Sequence, residues 1–338
     1  YFSRHEQGAA HEADGYARAS GKIGVCLATS GPGATNLVTG IMTAHMDSIP
    51  MLAITGQVGS PLLGKDAFQE SDIVGITVPI TKMNYLVQNI KELPRIIKEA
   101  YYIASTGRPG PVLIDIPKDI QLQEISYDEF NKLYEKDFHL EGYDPTYKGH
   151  QGQIKKALKL INDSKKPLII AGAGILKSMA SEELKEFAEK IGSPVTTTLL
   201  GLGTFPSSHE LSLGMLGMHG TVAANYATDE ADLIIAAGIR FDDRITGNPD
   251  KFCKKAKIIH IDIDPAEIDK NKKADVPIVG DLKNVLAGLN NNLKENSHKE
   301  WIEKIKEWKK EYPLGYRKVE EDKLVAQEVL EELNNILK

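Results

Sequence analysis

Short apolar runs rich in Val, Ile and Leu alternate with helix-period segments along most of the chain. That alternation restricts the fold more than any other feature. Residues 23–29, 51–55 and 111–116 are such runs, each bounded by Gly or Pro, and residues 7–20, 34–46 and 93–105 between them carry apolar side chains at helical spacing. A run apolar on both faces is a strand buried on both faces, and strands separated by helices pair in parallel. A second series follows, with strand runs at 167–171, 194–198, 232–236 and 257–263 and helical patterns at 151–162, 181–191 and 282–293. The expected fold class is α/β, with two doubly wound parallel-sheet domains, the second Rossmann-like. A polar stretch at 124–150, with Gly142 and Pro145 and no sustained apolar period, reads as a linker over the surface. The expected division is therefore 1–123, a linker at 124–150, 151–294, and a charged segment with one helix at 295–338.

The 338 residues suit two domains of ordinary size, each able to bury a core. A net charge of −6, from 41 basic and 47 acidic residues, argues against nucleic acid as a partner. Two cysteines, Cys26 and Cys253, are too few for a disulfide framework and fit a reducing cytoplasm. No apolar run approaches the ~18 residues of a membrane span, and no signal segment is visible. Beyond about residue 295 the chain is highly charged through Asp322. Then Leu324, Val325, Val329, Leu330, Leu333 and Leu337 form one apolar helix face that should pack on a further domain. The start at Tyr1, in what reads as a strand tail running into Ser3, and the stop at Lys338 are the marks of a fragment.

Ser3-Arg4-His5-Glu6 fits a capping box, Ser3 at the N-cap and Glu6 at the third helical position, with His5 as packing. Gly31-Pro32-Gly33-Ala34-Thr35-Asn36 is a tight strand-to-helix turn that could also seat an anion. It lacks the Gly-Lys-Ser/Thr of a P-loop, which argues against nucleotide hydrolysis. Phe68 and Gln69 lie in a loop opened by Gly64, where an aromatic and an amide can wall a pocket and donate to a developing oxyanion. Lys118 follows Pro117 at the carboxyl end of a strand, the edge that ligand sites favour. In the second domain, Gly172 and Gly174 follow a strand, but Lys177 at the third fingerprint position weakens a nicotinamide-dinucleotide reading. Arg240, Asp242 and Arg244 follow another strand, and Asp262, Asp264 and Glu267 a third. Guanidinium groups suit a pyrophosphate and strand-end carboxylates a ribose or adenine, although surface ion pairs would explain any one of these charges.

The strings Arg4-His5-Glu6-Gln7-Gly8-Ala9-Ala10 and Thr29-Ser30-Gly31-Pro32-Gly33-Ala34-Thr35-Asn36 resemble the pyrimidine-binding domain of thiamine-diphosphate enzymes. Gly64-Lys65-Asp66-Ala67-Phe68-Gln69-Glu70 and the segment from Gly107 to Asp119 narrow the resemblance to the catalytic large subunits of the acetolactate synthase family, over nearly the whole chain. The resemblance implies a transferase that decarboxylates pyruvate on thiamine diphosphate. It would pass the two-carbon unit to a second 2-keto acid, pyruvate or 2-ketobutyrate, in branched-chain amino-acid biosynthesis. It makes Glu6 the carboxyl that trades a proton with the coenzyme's pyrimidine. Pro32 and Asn36 become pyrimidine contacts, Phe68 a wall, Gln69 a contact on the coenzyme side, and Lys118 an electrostatic contact at the substrate channel. It implies a structural FAD in the second domain. Carried over singly, the FAD positions are Arg108, Gly172, Gly174, Thr198, Leu199, Leu216, Met218, His219, Gly238, Arg240, Asp242, Arg244, Asp262, Ile263 and Asp281.

The family also holds Mg²⁺ and the diphosphate through a Gly-Asp-Gly segment that this sequence lacks; Gly280-Asp281-Leu282 is the nearest string. The metal ligands are expected in a missing carboxyl-terminal domain, so the chain should bind FAD at best and not thiamine diphosphate. The resemblance further implies a homodimer or dimer of dimers and a separate regulatory subunit. Pyruvate oxidase and glyoxylate carboligase share such a flavin domain. The Asp-Ala-Phe-Gln-Glu and Pro-Lys-Asp-Ile-Gln strings favour acetolactate synthase over them. A non-catalytic FAD-binding or assembly module stands as the contrasting class.

Overall fold

The computed structural model describes residues 1–316 and 323–337; residues 317–322 of the expected charged stretch, and Lys338, lie outside the described residues. The chain divides into two compact units, Tyr1–Tyr147 and Lys148–Lys338.

The first unit is built on four parallel strands, β1 Gly24–Ala28, β2 Met51–Gln57, β3 Met83–Leu86 and β4 Pro111–Pro117, in the order β1-β2-β4-β3. Its helices are α1 Glu6–Ser20, α2 Pro32–Asn36, α3 Val38–Asp47, α4 Ile73–Thr77, α5 Leu93–Ser105, α6 Lys118–Gln121 and α7 Tyr127–Glu135. Successive strand residues feed opposite faces. Met51, Ala53 and Leu113 pack with Ala10, Ala13, Leu37 and Ile41 of the α1–α3 side. Leu52, Val112 and Ile114 pack with Ile96, Ala100 and Ile103 of α5. Small residues let α1 and α3 approach closely: a β-carbon on Gly40 would lie 2.3 Å from that of Ala10.

The second unit carries six parallel strands, β5 Pro167–Ala171, β6 Val195–Thr197, β7 Ser212–Met215, β8 Leu233–Ala237, β9 Lys257–Asp262 and β10 Val276–Val279. Their order is β10-β9-β8-β5-β6-β7, which is the Rossmann order read from the central pair outward. Helices α8 Gln151–Asp163, α9 Ala173–Lys177, α10 Ser181–Ile191 and α13 Leu282–Asn290 belong to one face, packing on Ile169, Ile235, Ile259 and Ile261. Helix α11 Val222–Glu230 belongs to the other, with Leu168, Ile170, Ile234 and Ile258. Helix α12 Asp243–Thr246 follows β8, and α14 Lys299–Glu311 and α15 Ala326–Ile336 complete the unit.

Several expectations change. Ser3 is not an N-cap and there is no capping box: α1 starts at Glu6, and His5 caps it by accepting the Gln7 backbone N–H on Nδ1 at 3.1 Å. His5 is thus a cap and not packing, and Ser3 Oγ donates to Glu12. Residues 1–3 form no strand. The helix expected over 34–46 breaks at Leu37 into α2 and α3. The stretch read as a bare linker carries α7, and Tyr102 of α5 meets Phe138 and Tyr143 edge-on. The charged stretch after 295 contains α14, whose Trp301 and Ile305, one turn apart, are buried in the second unit's core. Trp301 Nε1 donates to the Pro167 carbonyl at 3.0 Å. Helix α15 buries none of its residues.

Candidate functional site

In the first unit the chain turns from β1 to α2 through Gly31, whose φ of 62° suits glycine. A β-carbon there would also lie 2.6 Å from the Gln69 carbonyl, so the turn packs directly against the 64–70 loop. Pro32 starts α2 at the position where its missing N–H is harmless. The result is that Asn36 reaches Glu6, thirty residues earlier: Asn36 Nδ2 donates to Glu6 Oε2 at 3.1 Å. Gly33 sits beneath the same carboxyl, since a β-carbon on it would come within 3.3 Å of Glu6 Oε1. The Asn36 amide holds the Glu6 carboxyl below the usual glutamate range, helped by a backbone N–H and by His5. Glu6 also lines an open groove of ≈ 850 Å³ along β1, shared with Phe2, Ala9 and the exposed Val25 and Leu27.

The 64–70 loop is folded around one side chain that sequence reasoning passed over. The Glu70 carboxylate accepts from the backbone N–H groups of Gly64, Lys65 (3.3 Å) and Ala67 (3.0 Å). These bonds hold its pKa down. Asp66 and Gln69 take left-handed φ values of 55° and 60° within it. Phe68 stands 89% exposed, and Gln69 is exposed beside it. The available signal was an acid closing a loop that opens on glycine. Lys118 starts α6 at the carboxyl end of β4, exposed, next to Asp119, which accepts from the Ser60 N–H at 2.8 Å. Arg108 lies at the opposite, amino end of β4, where its Nε donates to Ser48 Oγ at 2.8 Å. The structure therefore gathers Glu6, Pro32, Asn36 and Gln69 around one turn, sets Lys118 on a strand end of the same sheet edge, and leaves Arg108 at the far edge.

In the second unit the expected residues cluster at the carboxyl edge of the sheet, where β5 and β8 diverge to opposite sides, the position at which open α/β sheets bind ligands. Gly172, Gly174 and Gly238 bring the two strand ends into backbone contact. A β-carbon on Gly172 would lie 2.1 Å from the Gly238 carbonyl, and one on Gly174 2.7 Å from the Gly238 α-carbon. Thr198 caps the turn after β6 by accepting the Gly201 N–H at 3.0 Å, and the neighbouring Thr197 hydroxyl is buried with no hydrogen-bond partner. Leu199 and Met218 are 67% and 68% exposed here, whereas Leu216 is buried. Arg244 and Glu267 take part in ion pairs, with Asp243 at 3.9 Å and Lys270 at 3.0 Å, and three acids of the region accept backbone N–H groups. Asp242 caps α12 through the Arg244 N–H at 3.0 Å, Asp281 caps α13 through the Asn284 N–H at 3.2 Å, and Asp262 accepts the Asp264 N–H at 2.9 Å. Arg244 and His219 are exposed, while Arg240 and Ile263 are half-buried. A cavity of ≈ 340 Å³ nearby is lined by Gly217, Met218, Arg244, Phe252 and Cys253 among others. Among the described residues no cluster of three or more His, Cys, Asp or Glu could hold a metal ion, and no helix is long and apolar enough to cross a membrane.

Comparison with known proteins bears on both units. Residues 1–76 match the family model described as thiamine pyrophosphate enzyme, N-terminal TPP binding domain, and residues 154–289 match thiamine pyrophosphate enzyme, central domain. The chain is 54% identical to the acetolactate synthase large subunit of Buchnera aphidicola over 99% of its own length and 59% of that protein. It is 54% identical to the Corynebacterium glutamicum large subunit (98% and 53%), and 57% identical to the probable large subunit of Methanocaldococcus jannaschii (91% and 52%). The chain thus spans little more than half the length of these relatives.

Proposed function

We infer, for a chain that carries the N-terminal and central domains of the thiamine pyrophosphate enzymes and is a homologue of acetolactate synthase large subunits, that it is the proton-exchanging part of such a catalytic subunit. One observation supports this above the others. A glutamate at the foot of α1 and an asparagine at the end of the glycine turn meet at 3.1 Å, on an edge where ligands bind. The donor set fits thiamine diphosphate: a carboxyl for the pyrimidine ring, an amide that orients it, and a close-packed glycine turn against which a flat ring can lie. When bound, that coenzyme supplies an acidic carbon that adds to a 2-keto acid and takes up the electrons released as carbon dioxide leaves.

Glu6 has the task of holding a proton at its carboxyl and exchanging it with a ring nitrogen. In the free chain the Asn36 amide favours the ionised form of that carboxyl. A heterocycle lying over it would exclude water and raise the Glu6 proton affinity toward that of the ring nitrogen. Phe68 and Gln69 wall the opening, and Lys118 draws the keto-acid carboxylate by charge. The magnesium-bound diphosphate end is assigned to the part of the subunit that these residues do not span, and to a partner copy in a dimer.

For the second unit we assign FAD. The close glycine contact at the β5–β8 switch point, the guanidinium groups of Arg240 and Arg244, the exposed apolar Leu199 and Met218, and the unpartnered Thr197 hydroxyl all suit a flavin dinucleotide. Carbon–carbon bond formation needs no net redox change, so its role is structural. The two buried free thiols fit the reducing cytoplasm as the site of action. The test is acetolactate formation by the full-length subunit carrying Glu6→Gln. Loss of turnover by about 10²–10⁴-fold is expected for a general acid–base group, and undiminished turnover removes Glu6 from the mechanism.

A further inference from the structure

Three buried polar residues, Thr55 and Gln57 of β2 and Asp115 of β4, interrupt otherwise apolar strands, and none is used above. Asp115 on β4 is 1% exposed and lies opposite Thr55 of β2 in register. A carboxyl so deep in a parallel sheet persists only with donors aimed at it. Thr55 Oγ1 donates to Oδ1 at 2.7 Å, and Gln57 Nε2 donates to Oδ2 at 2.9 Å. Gln57 is itself buried and has no spare donor. Its Nε2 also donates to the Ser71 carbonyl at 2.7 Å, and its Oε1 accepts the Val58 N–H at 2.9 Å. A flipped amide would set oxygen against both the Asp115 carboxylate and the Ser71 carbonyl. The carboxylate therefore dictates which way the amide faces.

Ser71 directly follows the loop that carries Phe68 and Gln69. That loop is a compact body, wound around the Glu70 carboxylate. It is seated at two points: its Gln69 backbone rests on Gly31, and its Ser71 carbonyl hangs from Gln57. We propose that Asp115, acting through Gln57, is a positioning residue that sets Phe68 and Gln69 against the 31–36 turn. Its consequence for turnover rests on the reading that this loop faces the coenzyme. The two residues stand fifty-eight positions apart, so the contact exists only because β2 and β4 are neighbours.

The test compares Asp115→Leu with the reversed pair Gln57→Glu/Asp115→Asn, at pH 8. In the single variant no acceptor faces the Gln57 amide donor. Exchange of the Gly64, Lys65 and Ala67 amides, referenced to the Leu52 and Ala53 amides of β2, is expected to speed by about tenfold or more. In the reversed pair a carboxylate and an amide again face each other, so thermal stability returns toward the parent. Ser71 now meets a carboxylate oxygen, so the loop stays fast. Loop protection that is unchanged in Asp115→Leu, or that recovers together with stability in the reversed pair, overturns the proposal and leaves Asp115 a purely structural pair. In the full-length subunit, a fast loop with raised KM or lowered kcat supports the whole chain of reasoning. A fast loop with unchanged kinetics leaves the positioning contact standing and removes Phe68 and Gln69 from the site.

Discussion

Two glycine-to-alanine substitutions in the second unit should shift its stability in opposite directions, and the signs follow from what each new β-carbon meets. At Gly172 the backbone is ordinary, with φ −109° and ψ −176°, so strain plays no part. The β-carbon would instead stand 2.1 Å from the Gly238 carbonyl oxygen and 2.6 Å from Ile239 Cγ2. Both belong to the turn that follows β8 and cannot swing aside as a long side chain could. Forcing them apart is overpacking, which costs about 1–3 kcal/mol. The same movement stretches the 2.9 Å bond from the Gly172 N–H to the Ala237 carbonyl, worth about 0.5–1.5 kcal/mol. The sum is about 1.5–4.5 kcal/mol, or a fall in Tm of about 3–18 °C for a unit of this size. At Gly288, within α13, the nearest atom to a new β-carbon is Ile154 Cδ1 at 4.0 Å, an ordinary contact. There alanine's helix preference adds about 0.5–1 kcal/mol and raises Tm by about 1–4 °C. Scanning calorimetry of the two variants beside the parent measures both. A Gly172→Ala protein that melts with the parent, or a Gly288→Ala protein that melts well below it, would refute the contact argument.

Trp301→Ala should destabilise the second unit by about 3–5 kcal/mol, while Trp301→Phe, which keeps an aromatic ring but strands the Pro167 carbonyl, should lose about 1–3 kcal/mol in urea titrations; a Trp301→Phe protein as stable as the parent would dismiss the 3.0 Å hydrogen bond. Burial pushes Asp115 from 3.8 up to about 6, so its neutral form is the one favoured by folding, by about 3 kcal/mol at the limit. That contribution is full below about pH 3.8 and is lost as pH rises through about 6; the stability of the parent relative to Asp115→Asn should therefore improve on acidification from pH 6 to pH 4, and a flat difference would contradict the burial. Burial likewise pushes both thiols up to about 12, so Cys26 and Cys253 should resist alkylation at pH 8 until denaturant is added; rapid labelling of the native chain would place one of them at the surface.

Periodicity made the two-sheet architecture legible because a strand buried on both faces must be apolar throughout, as at Pro167–Ala171 and Pro111–Pro117. It failed where the signal was diluted. Helix α14 carries its apolar anchors among lysines and glutamates, so a charged stretch concealed a core element. The short strands β3 and β7 lack a continuous apolar run, β10 carries Pro277 at its second position, and all three are defined by their neighbours in the sheet. At the amino terminus, Ser3 and Glu6 had the right spacing for a capping box, yet His5 took the cap. Spacing names a candidate, and geometry decides among candidates.

What the residues by themselves determined is the class of fold, the two-part organisation and the position of Glu6 at a helix start, since each of these depends on neighbours within a few turns of chain. Only the folded chain decided which residues act on one another. Asn36 meets Glu6, Gln57 joins Asp115 to Ser71, and Gly172 touches Gly238, because parallel pairing places segments side by side that lie far apart in order. Such contacts are set by sheet order and by the lack of room for a β-carbon, and neither quantity is written in any local stretch of sequence.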